Sequence, residues 1–210
     1  MRRFESLRLF ELCVIAIVVL SSGCSARSLT RQEYVLRGVV PAGLPSPVLE
    51  TGGPTVSVGP VELPLYLQRP QIVTRVDANR VRSTESHVWA EDLSRSIARA
   101  VLTNITVLLP TDRAWLFPGL GSGVPDYRVL IRVDELAGNA GGEVVLDAQW
   151  SITAADASTV PASRRTRLTR PAQVDDYGAI VEAMVELVGE MSREIADELR
   201  TLTRPAAGHS

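Results

Sequence analysis

The sequence predicts an α+β domain of two layers, a mixed and largely antiparallel sheet with two amphipathic helices packed on one face. Three observations carry that prediction. Residues 90–106 and 175–202 place apolar side chains at three- and four-residue spacing with charged residues between them, the signature of helices with one buried face. Residues 127–134 and 144–152 alternate apolar and polar on either side of a Gly/Asn-rich turn, the pattern of an antiparallel hairpin. Neither helix is apolar all round, so each covers a sheet face rather than lying inside a core.

The elements follow in order along the chain. Tyr34-Val35-Leu36 reads as a first strand. The stretch from Pro41 to Pro54 holds four prolines and three glycines and is a loop. Thr55 to Val61 is a strand that Pro60 ends or places at a sheet edge. Gln71 to Val76 is β-rich, and Asn79–Arg82 with Glu85–Trp89 suggest a short hairpin. In the first helix, from about Ala90 to Thr106, Trp89, Leu93, Ile97, Val101, Ile105 and Leu108 form the apolar stripe. Asp92, Arg95 and Arg99 form the solvated side, and Glu91 and Asp92 suit the positive end of the helix dipole. Pro110 to Pro125 reads as a loop.

In the hairpin, Tyr127, Val129, Ile131 and Val133 lie on one face of the first strand, and Val144, Leu146, Ala148, Trp150 and Ile152 on one face of the second. Residues 163–169 add a third, polar strand. The last helix, from about Asp175 to Leu202, buries Ile180, Val181, Met184, Leu187, Val188, Met191, Ile195 and Leu199. Asp175 and Asp176 mark its start, Arg193, Arg200 and Arg204 lie toward its end, and Pro205 stops it.

Composition bounds the function. The 210 residues carry a formal charge of −2, with two cysteines and two histidines. That balance argues against a nucleic-acid protein, which needs a concentrated positive field. All 22 basic residues are arginine. Without lysine there is no Walker A loop, no Schiff-base amine and no Ser-Lys dyad. Two cysteines and two histidines also leave little for a structural zinc site, which takes four such ligands.

The first 24 residues point to a compartment. Arg2, Arg3 and Arg8 precede an apolar run that, after Glu11, extends from Leu12 to Leu20; Ser21-Ser22-Gly23 and then Cys24 follow. A basic segment, a short apolar core and small residues describe a secretory signal, and a run roughly half the length a span needs makes a permanent span the weaker reading. Small residues immediately before a cysteine resemble a bacterial lipobox, although Ser21 stands where that motif usually has Leu. On that reading residues 1–23 are a lipoprotein signal peptide, Cys24 is the acylated residue and residues 24–30 are a tether; the other reading is an ordinary secreted protein with a free cysteine near its terminus. Residues 31–203 form a single domain and residues 204–210 a disordered tail. Ser25, rather than Asp, after the cysteine resembles the sorting pattern for the outer membrane, at its periplasmic face, with inner-membrane anchoring as the other possibility.

Catalytic signals are weak. His87 is the only histidine inside the domain, since His209 falls in the tail, and it reads as structural or surface. No G-x-S-x-G elbow is present, and Ser122 in Gly121-Ser122-Gly123 lacks the strand and helix context of a nucleotide loop. Of the carboxylate pairs, Asp134 and Glu135 should point to opposite faces of a strand. Glu91/Asp92 and Asp175/Asp176 belong to helix starts. Arg164, Arg165, Arg167 and Arg170 make a basic cluster that is either a solvated strand face or a surface for anionic headgroups or an acidic partner. No residue is assigned to catalysis, a cofactor or a metal.

The run from Val58 to Arg75, which carries P-x-x-L-P-x-Y-L-x-R-P-Q-I-V, resembles the ABC-type transport auxiliary lipoproteins of the PqiC family. So do Asn79-Arg80-Val81, Trp89-Ala90-Glu91-Asp92-Leu93, Asp126-Tyr127-Arg128-Val129 and Ala148-Gln149-Trp150, in that order across residues 31–200. The resemblance implies a non-enzymatic accessory subunit without cofactors. Its implied partners are an MCE-domain periplasmic protein with its ABC transporter, in a system that moves lipid between the two membranes and maintains envelope integrity. It also implies docking of the conduit at the outer membrane and self-association, with a ring as one form. Leu63, Leu65, Tyr66, Leu67 and Arg69 are the candidate partner contacts; the other reading of that segment is a Pro-bounded edge strand packed on the core. Two further functional readings stand beside this one, a lipoprotein regulator of a peptidoglycan synthase and a lipoprotein enzyme.

Overall fold

The computed structural model describes residues 30–39, 53–109, 111–119, 123–154 and 162–203. The signal segment, Cys24, most of the loop 41–54, Ser122, His209 and the tail 204–210 lie outside the described residues. The chain divides into two units, Met1–Thr30 and Arg31–Ser210, and every element below belongs to the second.

Those elements are β1 (Gln32–Tyr34), β2 (Val56–Glu62), β3 (Gln71–Arg75), β4 (Val81–Trp89), α1 (Leu93–Leu108), β5 (Ala114–Leu116), β6 (Tyr127–Asn139), β7 (Glu143–Ala154), β8 (Ala162–Pro171) and α2 (Tyr177–Thr203). The fold is α+β, with an open sheet of eight strands among the described residues and both helices as a second layer.

Strand β6 organises the sheet. On one side it pairs antiparallel with β7 over its whole length, and β7 pairs antiparallel with β8 from Glu143↔Pro171 to Ile152↔Ala162. On the other side β6 is shared end to end by two parallel partners. β2 takes its first half, from Val56↔Tyr127 to Glu62↔Arg132, and β3 takes its end, at Thr74↔Gly138 and Arg75↔Asn139. β5 then lies parallel outside β2, while β4 and β1 lie outside β3.

The helix-facing layer is the core. Val129, Ile131, Val133, Leu146, Ala148, Trp150 and Ile152 are buried against Ile97, Val101 and Ile105 of α1 and Met184, Leu187, Met191 and Ile195 of α2. The indole Nε1 of Trp150 donates to Thr166 Oγ1 at 3.0 Å, and that hydroxyl donates in turn to Glu194 of α2. A buried indole needs such a partner. Between the helices, Asn104 Nδ2 donates to Ser192 Oγ at 3.0 Å. The chain after β1 lies close against both: a Cβ on Gly38 would come within 2.8 Å of Thr103 Cβ, and one on Gly189 within 3.4 Å of Val39. The approach at Gly38 leaves no room for a Cβ, while that at Gly189 is ordinary van der Waals contact.

Several local expectations change. α1 starts three residues late because Asp92 is its N-cap, its carboxylate accepting the Arg95 N–H at 3.0 Å; capping outweighs the dipole preference for helical acid. α2 starts at Tyr177 for the same reason, with Asp176 accepting the Ala179 N–H at 3.0 Å. The first strand lies two residues earlier, at Gln32–Tyr34. Pro60 does not end β2: it occupies the register shift in the β6 ladder between Val58 and Val61, on the part of β2 that lies beyond its last pair with β5, Val58↔Leu116, and so has a strand partner on one side only. A bulge tolerates the missing donor. The hairpin expected within 79–89 is instead β3 with a continuous β4, turned at Asp77, whose Oδ1 accepts the N–H groups of Asn79 and Arg80 at 3.0 and 2.9 Å. Within the loop expected at 110–125, Ala114–Leu116 pairs with β2; three residues are too few to show a period.

Candidate functional site

The family-like run from Pro60 to Val73 folds around the gap in the β6 edge. The chain leaves β6 after Glu62, opposite Arg132, and returns at Thr74, opposite Gly138. Among the described residues no strand pairs with the stretch of β6 between those points on that side. The intervening residues form a single 3-10 turn, Leu65–Leu67, not an edge strand. Pro64, at φ −63°, begins it, and its carbonyl accepts the Leu67 N–H at 2.9 Å. Gln68 Nε2 donates to the Leu63 carbonyl at 2.6 Å and ties the two ends together.

The five candidate contacts separate by role. Leu63 (8% exposed) and Leu67 (3%) belong to the core and present no surface. Tyr66 is half-buried, and its hydroxyl donates to the Asp134 carbonyl at 3.1 Å, filling the vacancy in the ladder. Burial is the main cause that pushes the Tyr66 phenol above its ordinary pKa, with Arg75 acting against it and the nearby carboxylates of Glu135 and Asp134 adding to it. Leu65, by contrast, is 83% exposed, and Arg69 is exposed beside it.

Beside the turn, the sheet face away from the helices carries a lattice of arginines and carboxylates. Asp147 lies at its centre, its side chain only 7% exposed, bound by Arg165 through Nε at 2.8 Å and by Arg167 at 2.6 Å. A second Arg165 nitrogen reaches the other Asp147 oxygen at 2.9 Å, a bidentate pair. The Arg165 hydrogen bonds are the chief cause that holds the Asp147 carboxyl below its ordinary pKa. Glu135 accepts from Arg75 at 2.7 Å and lies 3.8 Å from Arg167, while Asp134 lies 3.6 Å from Arg165 and 3.4 Å from Arg132.

Asp134 and Glu135 therefore reach the same face, contrary to the alternation expected of adjacent strand residues. The register shift between Val133 and Glu135 inserts one extra residue and brings both carboxylates round. The basic cluster is not one patch either. Arg165 and Arg167 serve the lattice, while Arg164 and Arg170 point the other way and hold Glu198 and Glu190 of α2 at 2.5 and 2.6 Å. Strand alternation divides the cluster between two faces and pairs each charge.

His87 lies on β4 beside the start of α2. Tyr34 Oη donates to Gln32 Oε1 at 2.7 Å and lies 2.9 Å from His87 Nδ1. The imidazole stacks on Tyr177 at 4.1 Å between ring centres. Among the described residues no group of three His, Cys, Asp or Glu side chains could hold a metal ion, and no helix is long and apolar enough to cross a membrane.

The domain thus combines an open sheet, two helices on one face and an exposed turn beside an ion-paired lattice. The chain belongs to the ABC-type transport auxiliary lipoprotein component family, whose model matches residues 34–196. It shares its fold with a crystal structure of an uncharacterised protein, 21% identical, covering 81% of this chain and 99% of that one at a TM-score of 0.65. It also shares it with a protein from Xanthomonas campestris of the DUF330 family, 15% identical, covering 82% and 100% of the two chains at a TM-score of 0.61. No curated protein matches the sequence.

Proposed function

We propose that this chain is a non-enzymatic accessory lipoprotein of an MCE-linked, ABC-type envelope lipid-transport system. The signal 1–23 is removed, acylated Cys24 holds the protein at the periplasmic face of the outer membrane, and the tether 24–30 joins it to the domain 31–203. The domain docks the periplasmic conduit through the turn that presents Leu65 and Arg69, with Tyr66 behind it as support, and it associates with further copies of itself. The observation that carries this reading is the match to the auxiliary lipoprotein family, together with a fixed turn that leaves one leucine almost wholly in water.

The test is capture from native membranes in mild detergent through a C-terminal tag. Recovery of an MCE-domain protein, abolished by Leu65→Glu or Arg69→Glu in a chain that still folds, supports the reading and locates the contact. Recovery of a peptidoglycan synthase and no MCE-domain protein replaces it with a regulatory role in wall synthesis. Capture unaffected by either substitution moves the contact elsewhere.

A further inference from the structure

Four of the large apolar side chains that stand exposed among the described residues, Val35, Val76, Val81 and Val174, gather around the start of α2. Val174 lines one recess with Gln32, Tyr34 and His87, and a second with Val76 and Arg82. Val81 pairs with Arg75, the residue before Val76. Val35 lines a groove that reaches Gly178 in the first turn of α2. The charges at this end are mostly matched: Arg31 with Glu33, Arg80 with Asp77, and Arg82 with Asp175. Asp176 caps the helix.

The chain enters the domain at this same end, because Gln32 and Tyr34 of β1 line the Val174 recess. The chain from Cys24 to Arg31 spans at most about 25 Å when fully extended. An anchor at Cys24 therefore keeps this end near the lipid. The opposite end is far away. Val124 lies beside Asp126, which binds Thr55 next to the first residue of β6, whereas Val174 shares its recess with Asn139, the last. A strand of that length spans about 40 Å.

We infer that the end bearing Val76, Val81, Val174 and Val35 faces the lipid bilayer, its valines resting on the membrane surface that holds Cys24. This orientation rests on the reading of Cys24 as the lipidated residue. Apolar side chains without net positive charge suit the interfacial region of a bilayer and gain little from anionic headgroups. With that end down, α2 and β6 stand upright on the membrane, and the Leu65 turn, held beside Asp134 of β6, lies on the flank of the domain rather than at its far end.

The only cysteines are Cys13 and Cys24. Processing removes the first and acylates the second, so any introduced thiol is unique. The experiment places an environment-sensitive fluorophore at Val76→Cys, Val174→Cys and Val124→Cys in the full, lipidated chain, reconstituted into vesicles of phosphatidylethanolamine and phosphatidylglycerol with quencher-bearing lipid. The expected result is loss of most emission at positions 76 and 174 and none at 124. Equal quenching at all three positions, quenching at 124 alone, or shielding of 76 and 174 from aqueous iodide without lipid quenching overturns the orientation, the last in favour of a protein cover. The mass of the N-terminal peptide separates the two ideas. Acylated protein that fails the quenching test refutes the orientation alone, and unacylated protein that does not float with the vesicles refutes the anchor and the orientation together.

Discussion

The two halves of the sheet are held together differently. Strands β6, β7 and β8 form one antiparallel meander in which each strand is paired along nearly its whole length. On the other side of β6, the parallel ladders are fragments of two to five residue pairs. Their continuity comes from between the strands: Tyr66 binds the Asp134 carbonyl, the Trp89 N–H donates to the Pro70 carbonyl at 2.6 Å, and Asp126 accepts both the N–H and the hydroxyl of Thr55 at 2.7 Å. Long antiparallel ladders satisfy their own backbone, whereas short parallel ones depend on loops to do so. A loop recruited in that way is tied at several points, and under the proposed function a turn so held presents Leu65 with little ordering cost on binding.

The difference can be broken at several points. In the meander, Trp150→Ala empties the centre of the core and leaves Thr166 without its indole donor; it should cost about 3–5 kcal/mol, read from urea denaturation. A loss no larger than that of a surface substitution would show that the meander is not the stable half. Next in size is the lattice. Asp147→Ala removes three guanidinium hydrogen bonds from the centre of the open face and should cost about 1–3 kcal/mol.

The same carboxylate sets a pH dependence. Its pKa is lowered in the folded state, so its contribution is present above the ordinary carboxylate pKa, about 4, and fades as pH falls through the folded value. Denaturation midpoints measured from pH 6 downward should therefore fall less steeply for Asp147→Ala than for the parent protein. Equal slopes would mean that Asp147 is not specifically held as the anion.

In the fragmentary half, Tyr66→Phe removes one hydrogen bond to Asp134 and should cost about 1 kcal/mol. Hydrogen exchange should rise at the β2–β3 junction before it rises in β7. Uniform acceleration would erase the contrast between the halves. The smallest effect on folding belongs to Leu65→Glu, within about 0.5 kcal/mol, and it is the substitution expected to abolish partner capture. That separation of stability from binding is the sharpest test of the proposal that a turn built by its neighbours is used at its tip.

Much of the domain was legible from residue order alone. The apolar faces of both helices and the alternation of β6 and β7 were readable because burial repeats at the period of the element itself. The family-like run was readable as a motif, but not the division of labour within it. Leu63, Leu65 and Leu67 are alike in composition; a 3-10 turn buries the outer two and exposes the middle one. β5 was missed because three residues carry no period, and Pro60 does not stop β2 because a bulge accommodates it.

The arginine cluster shows where sequence reasoning stops. Four arginines within seven residues read as one basic surface, yet two face α2 and two face Asp147. Asp134 and Glu135 read as divergent, yet one extra residue in β6 turns both toward the same arginines. By itself the sequence determined the α+β class, the two amphipathic helices, the central hairpin, the signal-like start and the family motif, because each is written in local spacing or in contiguous residues. Only the tertiary structure decided which charges meet, where the β6 edge opens, and which leucine of the turn is left in water. Those outcomes depend on register and on partners far away in the chain, and no local period records them.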